Sequence, residues 1–375
     1  MIYSFQNKGS HWPSFLPFSI GPHTLSRAGP PVFLAEIGAF FGQDIVMGKE
    51  LISEVALARD SIPELPIVLK TEILHDEDVC LPGDTAETYE SKSGEVRQEN
   101  YRALIQRKVV PLHAYEELLQ HCAELSLSVV VSIYDFAGVD FAVEMGASGL
   151  KIASSNVIHY PLIEYAASKG VPLIIDTGRA TIDEVYRAVK VAEASGCHHM
   201  VIEHSPDGHP SKPAAHNLLI MDSYQKIFGY PVGLSDHHVG HEMLYMAIAL
   251  GATVLEKGVH SKPDELDIDI SHTMGIDDLP RVLRTVHDCW QALGQPHRDM
   301  SVPISGTIGT SQRQCVVARD NLEKGALLSL ETIRFAFPTP VRGISVEHWS
   351  IVNGWKIKNR VKKGKPVMWT DIQAV

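Results

Sequence analysis

Residues Val171–His204 read VPLIIDTGRATIDEVYRAVKVAEASGCHHMVIEH. Within this stretch Pro172–Asp176 and His199–His204 are short apolar runs rich in branched residues, which predicts two strands. Between them Ile182–Ala194 has the spacing of an amphipathic helix. Strands that are almost continuously apolar, rather than alternating, are buried on both faces, and that is the signature of a parallel sheet covered by helices.

The same rhythm runs in both directions from there. Further strands are predicted at Val32–Ile37, Ile67–Lys70, Val129–Ile133, Leu150–Ala153, Pro231–Ser235 and Thr253–Val259, with helices at Asn217–Phe228 and Glu242–Leu250. Eight such units over about 260 residues is the count of a (β/α)8 TIM barrel. A doubly wound open sheet would give the same alternation. One connection stands apart: Thr71 to Leu112 is long and rich in Asp, Glu, Ser and Gly, as functional or disordered loops are. In a barrel it would lie over the mouth.

The rhythm stops near Pro303. The expected organisation is a barrel over residues 1–300, a linker over 301–312 and a small β-rich domain over 313–375. Two copies of a strand, a charged Lys-Gly and an apolar run, in VVARDNLEKGALL and NRVKKGKPVMW, point to tight turns in that last part.

The 375 residues are 45% hydrophobic and 21% charged, enough apolar surface for a full core. A formal net charge of -12 argues against general nucleic-acid binding, which needs clustered cations. Five scattered cysteines (Cys80, Cys122, Cys197, Cys289, Cys315) form neither a disulfide framework nor zinc-finger spacing, so a cytoplasmic location is expected. The N-terminal MIYSFQNKGSHWPSF has no signal-peptide pattern, and no apolar stretch reaches membrane-spanning length.

In a barrel, polar residues at the C-terminal ends of strands face the active site. That filter selects Glu36, Lys70, Lys151, Ser154, Asp176, His204, Ser235, Asp236, His237 and His260. A lysine inside an apolar run is costly to bury without an anionic partner. Lys70 and Lys151 therefore predict either a phosphate or carboxylate ligand or structural carboxylates. His237 and His260, with Glu36, are candidate ligands of a divalent metal; each histidine is equally an ordinary hydrogen-bonding residue. His238 and His241 read as supporting or helix-start residues.

At these residues the chain resembles the sialic acid synthase family, which includes the pseudaminic and legionaminic acid synthases. The resemblance is carried by AEIG (Ala35–Gly38), LK in IVLKTEIL, KIASSN (Lys151–Asn156), DTGRAT (Asp176–Thr181), GLSDHH (Gly233–His238) and ALGATVLEK (Ala249–Lys257). The C-terminal segment resembles that family's antifreeze-like, or SAF, domain.

The resemblance implies a homodimer in which the SAF domain of one subunit covers the barrel mouth of the other. It implies a Mn2+- or Mg2+-dependent condensation of phosphoenolpyruvate with a sugar aldehyde. Lys70, Lys151, Ser154 and Ser235 would hold phosphoenolpyruvate, Glu36 would sit beside the reacting carbons, and His237 would bind the metal. Asp176, Asp207, His209, Asp267 and Arg342 would contact substrate.

There are departures from the family pattern. AEIGAFFGQD is apolar where the family is polar, and Asn156 stands where an acidic residue is usual. Asp176 replaces the serine of STG, and Asp207 and His209 stand where Asn and Tyr are usual. Gly258 occupies the second metal histidine of EKH, with His260 two residues on, and Phe337 aligns with the arginine of RPG, Arg342 following. These changes predict an acceptor other than N-acetylmannosamine. Two alternatives remain: a lyase or aldolase using Lys70 or Lys151 as a Schiff base, and a non-catalytic binding homologue.

Overall fold

The computed structural model describes residues 15–263, 267–294 and 313–375; the expected linker, 301–312, lies outside them. The residues up to 294 form one compact unit and 313–375 belong to a second. No helix among the described residues is long and apolar enough to cross a membrane.

All eight predicted strands form: β1 Val32–Gly38, β2 Ile67–Ile73, β3 Val129–Ile133, β4 Gly149–Ile152, β5 Leu173–Asp176, β6 Met200–His204, β7 Val232–Ser235 and β8 Val254–His260. Each pairs in parallel with the next, and β8 pairs with both β7 and β1, so the sheet closes. Closure excludes the open sheet. The helices that follow the eight strands in turn are α1 Ile45–Asp60, α2 Leu112–Glu124, α3 Phe136–Glu144, α4 Tyr160–Ala167, α5 Ile182–Ala194, α6 Ile220–Phe228, α7 Glu242–Ala249 and α8 Leu279–Ala292. In α5, Thr181 accepts from the Glu184 amide while Glu184 accepts from the Thr181 amide, a reciprocal cap that fixes where the helix begins.

Alternate residues of each strand face opposite ways. One set, including Phe33, Ala35, Leu69 and Val131, packs under the helices in the main core. The other set fills the barrel, where Val32, Leu34, Val68, Val130, Ile174, Val201 and Val254 meet Phe18, Ile20 and Leu25. Those last three belong to an N-terminal hairpin, Phe18–Ile20 with His23–Leu25, that plugs the barrel floor.

The long connection after β2 is not a bare loop. It carries a 3-10 turn Glu77–Val79, a hairpin Ala86–Glu90 with Val96–Asn100, and a helix Tyr101–Lys108.

The second unit has its own core, including Val316, Leu322, Ile333, Ile344, Val361 and Val367. Cys315–Ala318 pairs antiparallel with Ile333–Ala336, and Lys356–Ile357 with Ile372–Gln373. The two Lys-Gly segments lie symmetrically: Leu322 and Val361 bridge each other, while the amides of Gly325 and Gly364 donate to Ile357 and Ala318.

Candidate functional site

Two residues above the apolar floor, the same inward-facing positions turn polar. Val68 is followed by Lys70, Ile174 by Asp176, Val201 by Glu203, Val254 by Glu256, and Leu34 by Glu36. The strand register sets Glu36 beside Lys70, Asp176 beside Glu203 and Ser235 beside Glu256. Strand period and barrel closure together stack a charged layer on a hydrophobic one.

Lys151 is its hub. Its ammonium lies 2.6 Å from Glu256, 2.7 Å from Glu203 and 3.0 Å from Asp176. Lys70 pairs with Glu36, and Glu256 lies 3.9 Å away. Of the two readings for a lysine in an apolar run, structural carboxylates are present. Ser235 donates to Glu256 at 2.9 Å, and Ser205 donates to Asp176. Ser154 packs on Gly178, where a Cβ would come within 2.3 Å of the serine Cβ; glycine there also adopts φ +33°, and its amide donates to Asp176 and Ser205.

Burial raises the Glu36 carboxyl to about 7, against the pull of Lys70. Burial with the neighbouring Glu256 raises Glu203 to about 8, so it is mostly neutral at pH 7. Burial also raises Asp176 and Glu256, but Lys151 outweighs it and holds both below the usual range. Burial by itself favours a neutral amine on Lys151, yet the surrounding carboxylates lift it well above the ordinary lysine value, and Lys70 is lifted likewise. A Schiff-base lysine needs the opposite shift.

Above this layer lie three histidines from three different connections. Asp236, held by Lys257 at 3.0 Å, accepts from the His238 amide at 2.9 Å and so shapes the turn that presents His237. His209 follows β6, and His272 ends a 3-10 turn, Ile270–His272, beyond β8. One nitrogen from each ring lies within 4.8 Å of the others. The ring centroids of His237 and His272 are 4.4 Å apart, and His209 is 4.8 Å from His237. Burial and the adjacent His209 lower His237 to about 4, and burial with His237 lowers His272 well below its ordinary value.

His260 is not among them. Its Nδ1 meets Thr273 Oγ1 at 2.8 Å, and burial lowers it to about 4. Gly258 cannot take a side chain without rearrangement, since a Cβ would meet Thr273 Cγ2 at 2.6 Å and Phe40 at 3.2 Å. The structure groups His237 with His209 and His272, and holds His260 apart on Thr273.

A cavity of about 350 Å³ opens at the same strand ends, lined by Glu72, Tyr134, Asn156, Asp267 and Asp269, with Leu74, Leu104 and Ile105 on its apolar side. Lys108, on the helix of the long connection, reaches Asp269 at 2.8 Å, Asp267 at 3.4 Å and Glu72 at 3.8 Å. Burial raises Asp267 to about 6 against the pull of Lys108. Asp269 in turn holds His209 Nδ1 at 3.0 Å, joining cavity and histidines.

Other expected contacts lie elsewhere. Asp207 is exposed and pairs with Arg179 at 2.6 Å, outside the buried layer. His204, buried at the end of β6, faces the His216 carbonyl instead of the barrel interior. Arg342 lies in the second unit, at φ +67°.

The NeuB family profile matches residues 68–298, and a SAF domain profile matches 313–373. The chain belongs to the NeuB family. An uncharacterized protein of Methanocaldococcus jannaschii is 29% identical over 357 residues, covering 94% of this chain and 98% of that protein. The N,N'-diacetyllegionaminic acid synthase of Legionella pneumophila is 26% identical over 257 residues, 67% of this chain and 70% of that one. A crystal structure of spore coat polysaccharide biosynthesis protein E from Chromobacterium violaceum superposes with a TM-score of 0.69 at 20% identity, covering 92% of this chain and 99% of that one, which establishes a shared fold.

Glu203, Glu256, Glu72, Lys108, Asp269 and His272 were not selected by the strand-end filter. Glu203 and Glu256 are as legible as Lys151, being charges inside apolar runs. Glu72 lies on β2 two residues beyond Lys70, past the predicted end of that strand. The other three depend on how long connections fold back, which strand periodicity does not encode.

Proposed function

We propose that this NeuB-family chain condenses phosphoenolpyruvate with an unphosphorylated sugar aldehyde, giving a 2-keto-3-deoxy sugar acid and inorganic phosphate. The observation that supports it is the buried charged layer: two lysines held protonated at the barrel mouth, beside carboxyls that are partly neutral at pH 7. Ammonium groups buried this deeply suit an anion that displaces carboxylate contacts already made.

In this reading Lys70 and Lys151, with Ser154 and Ser235, hold the phosphate and carboxylate of phosphoenolpyruvate. C3 attacks the aldehyde carbon, forming the new C–C bond while the carbonyl oxygen takes a proton. Glu36 stands beside C2, where positive charge develops, and near pH 7 it can exchange a proton with the water that adds there. Loss of phosphate from that adduct leaves the 2-keto group. The histidine donor set fits the divalent ion that the family resemblance implies; when bound, the ion would polarise the aldehyde carbonyl. Association as a homodimer, with Arg342 of the SAF domain reaching substrate, belongs to the same proposal and rests on resemblance.

The cavity supports the acceptor class. Glu72, Asp267 and Asp269 surround Lys108, so sugar hydroxyl or amino groups find acceptors there whereas a phosphate meets like charge. The test is phosphate release from phosphoenolpyruvate against unmodified, N-acetylated and phosphorylated aldoses with Mn2+. Release with an unphosphorylated sugar is expected. Release with phosphorylated sugars alone would overturn the acceptor class, and no release from folded, metal-loaded protein would overturn the condensation. Borohydride trapping with pyruvate should label nothing, because both lysines are held protonated.

A further inference from the structure

We infer that His209, His237 and His272 form a three-imidazole metal site that selects Mn2+, Fe2+, Co2+ or Zn2+ over Mg2+ and Ca2+. The site stands whether or not phosphoenolpyruvate is the substrate.

Three observations carry it. The three ring nitrogens already lie within 4.8 Å of one another, a spread that small ring rotations close around an ion with metal–nitrogen bonds of about 2.1 Å. Nδ1 of His237 and Nδ1 of His272 are buried with no hydrogen-bond partner among the described residues, and buried polar atoms are seldom left so. The three rings come from three separate connections yet pack with centroids 4.4–5.4 Å apart, so their donor nitrogens converge on one place.

The third histidine is also prepared. His209 Nδ1 faces Asp269 Oδ1 at 3.0 Å, which fixes the ring and directs Nε2 elsewhere, as a carboxylate behind a metal-bound imidazole does. Asp269 is itself held by Lys108 at 2.8 Å. The His209 side chain is 39% exposed, so the site has an open side toward solvent and the cavity. His272 directly precedes Thr273, the residue that fills the space at Gly258. The segment that closes one ligand position thus supplies another.

Selectivity follows from the donors. Neutral imidazoles suit borderline first-row ions, whereas Mg2+ and Ca2+ demand oxygen. The test is calorimetry on the full-length protein, stripped by chelator and titrated with Zn2+, Mn2+, Co2+ or Mg2+, with the Co2+ absorption spectrum as a second readout. We expect one ion per chain, Zn2+ or Co2+ bound at least about a hundredfold tighter than Mg2+, and a visible spectrum of nitrogen-ligated Co2+. His272→Ala should weaken Zn2+ by at least about tenfold, and Asp269→Asn by about 10–100-fold. His260→Ala should leave Zn2+ affinity unchanged, and circular dichroism checks that each variant is folded. Loss of binding in His260→Ala with retention in a folded His272→Ala would overturn the assignment, as would equal affinity for Mg2+ and Zn2+ or no binding by the stripped parent.

Discussion

The floor and the upper layer of the barrel are built by the same strands only two residues apart, yet their physics is opposite. Below, Leu34, Val68, Ile174, Val201 and Val254 close on the N-terminal hairpin, and each buried side chain contributes transfer free energy on the order of 2 kcal/mol. Above, Glu36, Lys70, Asp176, Glu203 and Glu256 are removed from water at a cost that their mutual attraction must offset. A layer that merely stabilised the barrel would continue the floor. That the upper layer is charged, at the end where barrel enzymes place their chemistry, is what distinguishes a site from a core.

The sharpest way to break this contrast is Lys151→Met. It leaves Asp176, Glu203 and Glu256 without their shared cation, and breaking a buried network from one side costs about 3–5 kcal/mol. Urea unfolding should register that loss, and phosphate release from phosphoenolpyruvate should vanish at temperatures where the variant remains folded. A variant as stable as its parent would mean that the three carboxyls are neutral without Lys151, and the charged layer would have to be redrawn.

Leu34→Ala tests the other layer on the neighbouring inward position of β1. It should cost about 2–4 kcal/mol by leaving a cavity in the floor. Zn2+ affinity should not move, since Leu34 packs in the floor cluster, which contains none of the three histidines. If it weakens metal binding as much as stability, the two layers are mechanically coupled and the contrast is less clean than the register suggests.

The contrast also explains what could be read from the chain. Val171–His204 announces a strand, a helix and a strand because period and composition are local properties, and the eight strands follow for the same reason. Lys70, Lys151 and Glu36 were visible as charges at strand ends. Their partners were harder, because which carboxylate meets Lys151 depends on closure: Glu256 on β8 faces β4 across the barrel, 105 residues on in sequence. His272, Asp269 and Lys108 lie on connections without strand period, so their convergence on His237 and the cavity had no local signal. His260 illustrates the converse. The strand does continue to it, but its Nδ1 meets Thr273 from a later segment, and it stands apart from the three grouped histidines.

The smallest effect should come from Glu203→Gln, which changes charge and almost no shape. Glu203 Oε2 is 2.7 Å from Lys151, while Oε1 has no hydrogen-bond partner among the described residues. Its carboxyl is raised to about 8 in the folded chain, whereas an unfolded glutamate titrates near 4.5. The folded state thus holds a proton that the unfolded state releases. This contribution is fully present below about pH 4.5 and is lost as pH rises through the folded value near 8. Between pH 6 and pH 9 the parent should lose on the order of 2 kcal/mol of stability on this account, and Glu203→Gln should lose correspondingly less. Unfolding curves for both proteins at the two pH values measure the difference. An unchanged slope, with the variant simply weaker at pH 6, would mean that Glu203 is ionised throughout and acts as a permanent partner of Lys151. The distinction bears on function, because only a neutral Glu203 leaves Lys151 charge to spare for a substrate anion.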